Sequence, residues 1–128
     1  MKKALSLILA LVICLSLCAC VTEETVDIKS VPTLNIDIAG GEIRSNIARN
    51  KDTYHGNFYK IEGDVWDISS SYIEIVSGFY NWHLKVYFKN KEDIVSLNKG
   101  DTITVVGKFE VRNKYNFRVT QAVLIEIE

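Results

Sequence analysis

The chain has 128 residues, 48% of them hydrophobic and 24% charged, with a formal net charge of −1. That suffices for one small domain that buries roughly 60–65% of its unfolded surface in a core of its own. The three cysteines are Cys14, Cys18 and Cys20, so everything downstream lacks both disulfides and thiolate metal sites.

Lys2 and Lys3 precede a largely apolar run from Ala4 to Leu17. Its 14 residues fall short of the roughly 20 that a spanning helix needs. A positive head before a short apolar segment is the pattern of an export signal. The run ends in Leu17-Cys18-Ala19-Cys20, which resembles the bacterial lipobox. The resemblance implies cleavage between Ala19 and Cys20 and diacylation of the Cys20 thiol. Cys18 fits less well, because bulky Leu17 would stand where a small residue is needed. Two acyl chains hold a protein stably on a membrane, whereas one binds marginally at about 0.8 kcal/mol per buried CH₂. An uncleaved anchor helix is the competing reading. The expected division is a signal peptide over 1–19, a lipidated cysteine and flexible tether over 20–33, and a folded domain over 34–128, on the extracytoplasmic side of a cell membrane. Without Lys2 and Lys3, 13 basic residues face 16 acidic ones, a net charge near −3. Nucleic-acid binders usually carry a basic excess, because counterion release supplies most of their non-specific affinity. The balance therefore weighs against nucleic acid as a partner.

Val21 to Val31 is polar and aperiodic, and fully extended it would reach about 36–40 Å. Leu34, Ile36 and Ile38 alternate, which predicts a short strand over Thr33 to Ile38, broken by Gly40-Gly41. Ile43 and Ile47, with Ala48, make a narrow apolar stripe and predict a short helix over Glu42 to Lys51. Strands are predicted over Phe58 to Ile68, Tyr72 to Val76 and Trp82 to Lys89, the last with Trp82, Leu84, Val86 and Phe88 on one parity. Lys91 to Leu97 reads as a brief helix stopped by Asn98-Lys99-Gly100-Asp101. Thr102 to Val111 and Tyr115 to Ile127 complete the strands, with Phe117, Val119, Val123, Ile125 and Ile127 on one parity of the last. Gly63 and Gly107 fall inside long strands, where bulges or bends are expected.

The expectation is a mainly β domain. Five strands, a short N-terminal helix and a short helix between the third and fourth strands give the order of an OB-fold, a small Greek-key barrel. A plain meander or an SH3-like barrel is the alternative, and neither expects the second helix. Tyr59-Lys60-Ile61-Glu62-Gly63-Asp64-Val65, Leu84-Lys85-Val86-Tyr87-Phe88 and the run from Leu97 to Lys108 resemble the tRNA_anti-like OB-fold family. Ile43 to Asn50 and Tyr54-His55-Gly56 resemble its helical lead-in. The likeness spans about residues 38–127, and its members are often bacterial lipoproteins. Its motifs are turn glycines and alternating core positions, so it implies a fold and is nearly silent on function.

The chain offers no catalytic constellation. Its two histidines, His55 and His83, lack the spacing of a metal site or a nucleophile elbow. Glu62 and Asp64 share a strand face, but neighbouring Lys60 and Lys108 make that an ordinary solvated face. Arg44, Arg49, Arg112 and Arg118 do not sit in the acidic-arginine motif that an OB-type nuclease requires. No enzyme, cofactor or metal is expected.

OB barrels usually bind across strands two and three. That face would recruit Tyr72, His83, Lys85 and Tyr87, with Trp66 on the outer parity of strand one and Tyr115 and Arg118 near the rim. Aromatics interleaved with cations suit stacking on bases or sugar rings, although strands are rich in tyrosine in any case. The leading expectation is a membrane-anchored, non-enzymatic binding module for an envelope protein, a glycan or a small ligand. Alternatives are single-stranded nucleic-acid binding at the cell surface and a structural or blocking role, such as interference with phage DNA entry.

Overall fold

The computed structural model describes residues 27–128. The expected signal peptide, Cys20 and the first part of the expected tether lie outside the described residues. Thr33 forms a parallel bridge with Lys60, and Pro32 and Leu34 exchange backbone hydrogen bonds with the same lysine. The chain is thus fixed to the barrel from Pro32 onward.

No strand forms over Thr33 to Ile38. Instead α1 spans Ile36–Ser45, capped by the Asn35 side chain, which accepts from the amides of Asp37 and Ile38. Such a cap satisfies donors that the first helical turn leaves unpaired. Ile36, Ala39, Gly40 and Ile43 are buried, a helical spacing of three and four. Ile38, which alternation assigned to the same side as Ile36, is 57% exposed. Gly40 does not break the helix, because it is a contact point. A Cβ there would lie 2.5 Å from the Trp82 ring, so only glycine lets the helix approach that indole. The expected single helix over Glu42 to Lys51 is divided at Asn46, which ends α1 and caps α2 (Ile47–Tyr54) by accepting from the Arg49 amide. Tyr54 at the end of α2 donates to Glu42 of α1 at 2.5 Å and pins the pair together.

The strands follow the predicted order: β1 Phe58–Ile68, β2 Ile73–Ser77, β3 Trp82–Phe88, β4 Thr102–Asn113 and β5 Asn116–Ile127, with α3 (Glu92–Val95) between β3 and β4. They close into a barrel in the order β1-β2-β3-β5-β4. Only β3 and β5 pair in parallel. This five-stranded closed barrel with its interposed helix is an OB-fold.

Inside, Phe109 is fully buried against Tyr59 and Phe117, and Phe117 stacks on Trp82 at 5.4 Å. The Arg44 guanidinium also lies over Trp82, 4.0 Å from the ring centroid, so α1 meets the barrel with both a packed face and a cation.

Two strand details depart from expectation. The β1 irregularity falls at Trp66, three residues beyond Gly63, while a shift does occur at Gly107 between Val106 and Lys108. In β5 the single parity fails. Gln121 adopts φ +51, and the extra residue there turns the strand over. Phe117 and Val119 face inward before it, Ala122 and Leu124 after it; a second shift follows at Ile125, and Ile125 and Ile127 are 39% and 44% exposed.

Candidate binding face

The outer surface of β1, β2, β3 and β5 is assembled by register. Trp66 is the extra residue of a bulge, since Val65 pairs with Ile75 and Asp67 with Glu74. A bulge bends its strand and re-aims a side chain, and here Trp66 and Asp67 both face solvent. The Trp66 indole meets the His83 ring edge-on at 5.5 Å, and His83 Nδ1 lies 2.6 Å from Glu74 Oε1. The carboxylate can only accept, so that nitrogen carries the proton. Glu74 thereby holds the imidazole upright against the indole.

A second cluster lies further along the same face. Tyr72 and Tyr87 lie 5.3 Å apart, with the Lys85 ammonium 5.1 Å from the Tyr72 ring and the Arg118 guanidinium 6.0 Å from that of Tyr87. Lys85 and Arg118 are Cα partners across the parallel β3–β5 pair, which is why these two cations sit side by side. Arg118 Nε donates to Glu110 Oε2 at 2.7 Å, and Thr120 donates to the other oxygen at 3.0 Å. Burial pushes the Glu110 carboxyl up, but the bonds from Arg118 and Thr120 and the Arg118 charge outweigh it and hold its pKa below the ordinary value. Glu110 is therefore ionised at neutral pH, and it fixes Arg118 in place. Lys85, Tyr87, Arg112, Asn116 and Arg118 line a shallow cavity of about 180 Å³. With Glu110 beside it, the cavity carries three cations against one anion, a locally basic site on an acidic chain.

No family model matches the chain, and no curated protein does. Among solved structures it is similar to a candidate nucleic acid-binding lipoprotein from Klebsiella pneumoniae subsp. pneumoniae, with a TM-score of 0.65 and 18% identity over 80% of this chain and 100% of that one. It is also similar to Replication protein A of U. maydis bound to single-stranded DNA, with a TM-score of 0.48 and 16% identity over 75% of this chain and 73% of that one. The Klebsiella likeness shows the shared fold. Resemblance to the tRNA_anti-like family rests on the motifs alone.

Of the residues expected on the face, Trp66 and His83 form one cluster and Tyr72, Lys85, Tyr87 and Arg118 the other. Tyr115 joins neither. It projects from the β4–β5 turn, 64% exposed, with Arg44 and Lys114 each 5.0 Å from its ring. Sequence reasoning missed Glu110, Arg112 and Asn116 as parts of this face. Their place depends on the β4–β5 register, in which Glu110 pairs with Arg118, and alternation within one strand carries no such information. It also missed Phe79 and Tyr80, which occupy the β2–β3 turn, where there is no period to read.

Proposed function

We propose that this chain is a lipid-anchored, extracytoplasmic binding module without catalytic activity, with a signal peptide over 1–19, acylated Cys20 and a tether to residue 33, and the OB domain over 34–128. Its ligand carries a negative charge beside a flat or sugar ring, as an acidic envelope glycan or a small anionic ligand does. The observation that carries this reading is the cavity of Lys85, Tyr87, Arg112, Asn116 and Arg118, which sets cations beside a tyrosine ring. A planar guanidinium is suited to carboxylate and phosphate groups, and an exposed aromatic is suited to a ring. The lipobox and the likeness to a lipoprotein support the anchor.

The second reading is a single strand of nucleic acid on the same face. It is favoured by two aromatic clusters, Trp66 with His83 and Tyr72 with Tyr87, since successive bases stack on such platforms. The Klebsiella protein's description as a candidate nucleic-acid binder agrees with it. The net charge opposes it.

Amide chemical-shift mapping of the Cys20→Ala chain, with acidic wall fragments and with oligonucleotides, separates the two. The first reading expects shifts centred on Lys85, Arg112 and Arg118 with wall fragments, abolished by Arg112→Ala. The second expects oligonucleotide binding that weakens steeply with salt. Shifts absent from this face with every ligand would sink both.

A further inference from the structure

The tip of the β2–β3 hairpin carries a feature that the binding face does not use. Phe79 and Tyr80 are 84% and 73% exposed, and their rings pack edge to face at 5.4 Å. Two neighbouring aromatics left in water cost solvation, yet these are held there by a built clasp. The Asp37 carboxylate accepts from the Phe79 amide at 2.7 Å, the Tyr80 amide at 3.3 Å and the Trp82 indole Nε1 at 3.1 Å. Gly78 has φ +79, and a Cβ there would lie 2.5 Å from that carboxylate and 2.6 Å from Ile36. The tip is therefore seated on the first turn of α1. Ile38, 57% exposed, belongs to the same turn.

The position of this tip relative to the tether narrows what it meets. α1 is the first helix after the tether, and Asp37 lies only four residues beyond Thr33, the bridge that fixes the chain to β1. Sixteen residues separate Cys20 from Asp37, so a lipid on Cys20 keeps the tip within a few tens of ångströms of the bilayer. Tethering turns a weak contact into an intramolecular one at high effective concentration. Aromatic rings with one polar end settle at the headgroup level of a bilayer.

We propose that Phe79 and Tyr80, with Ile38, form a membrane-contact tip that rests in the headgroup layer and orients the barrel on its anchor. The proposal rests on the lipid-anchor reading. Because the attraction comes from aromatic partitioning, it is insensitive to salt, unlike binding at the cationic face.

The test uses the full chain, processed by its host and reconstituted in phosphatidylethanolamine–phosphatidylglycerol vesicles containing lipids brominated near the headgroup. Tyr80→Trp adds an indole at the tip, and the parent chain supplies the background from Trp66 and Trp82. Mass measurement of the Cys20 peptide reports acylation in the same sample. The expected result is acylated Cys20, loss of most of the added emission to the bromolipid, and no such loss when the Trp is placed instead at Val95, 87% exposed at the end of α3. Acylated Cys20 with an unquenched tip overturns the membrane-contact inference and leaves the anchor standing. Unacylated Cys20 overturns the anchor, and the inference with it. Quenching equal at Val95 and Tyr80 overturns the orientation.

Discussion

The carboxylate of Asp37 accepts the backbone amide of Phe79 at 2.7 Å across 42 residues of sequence. One side chain thus ties the first helical turn to the β2–β3 hairpin and, through the Trp82 indole, to the end of the barrel. Asp37→Ala is expected to cost about 1 kcal/mol, because it removes the acceptor of the part-buried Trp82 indole and of two exposed amides. Urea unfolding measures the cost. Hydrogen exchange at Phe79 and Tyr80 should accelerate more than exchange in β4. Equal acceleration everywhere would show that Asp37 acts globally and does not hold the tip.

Glu110 links stability to acid. Its carboxyl is held below the ordinary range in the fold, so its contribution is fully present above the unfolded value of about 4.3 and is lost as pH falls through the folded value. Exposed Asp67 shifts the same way, through the hydrogen bond from Lys99 and the Ile68 amide. Glu110→Gln should flatten the decline in melting temperature below about pH 4.5. A decline as steep as the parent's would contradict the assignment.

At the alkaline end Tyr54 acts. The hydrogen bond to Glu42, aided by burial and the carboxylate charge, raises its pKa to about 12. The neutral phenol is favoured in the fold, so this stabilisation is complete below the unfolded value of about 10 and disappears as pH rises through about 12. Ultraviolet titration should show one tyrosine ionising late, and Tyr54→Phe should remove that step.

Gln121 bears φ +51, where a side chain is strained and glycine is not. Gln121→Gly is expected to raise stability by roughly 0.5–1 kcal/mol, the strain relief exceeding glycine's larger unfolded-state entropy. Calorimetry decides this. A loss of stability would mean that the glutamine side chain contributes more than its backbone costs.

The five strands were legible because each has one buried and one wet face, and a period of two survives in the residues themselves. The first turns of the N-terminal helix, Ile36 to Gly41, were not. Leu34, Ile36 and Ile38 alternate as a strand would, while the outcome is decided by the Asn35 cap and by Trp82 across the barrel, neither of which a local window weighs. The turnover at Gln121 had no signal either, since glutamine is not a residue that announces a left-handed backbone. On the candidate face, the strand-three residues His83, Lys85 and Tyr87 could be read from parity. Their partners on β4 and β5 needed the register.

Closure of the barrel has a consequence for how the chain acquires its fold. β5 comes last of the strands in sequence, yet it lies between β3 and β4. A chain emerging from its N-terminus has β1, β2, β3 and β4 available with two raw edges, and it can seal neither until residues 116–127 arrive. Open edges are templates for pairing with other chains. Premature stops within the last strand should therefore yield aggregates and not a smaller barrel.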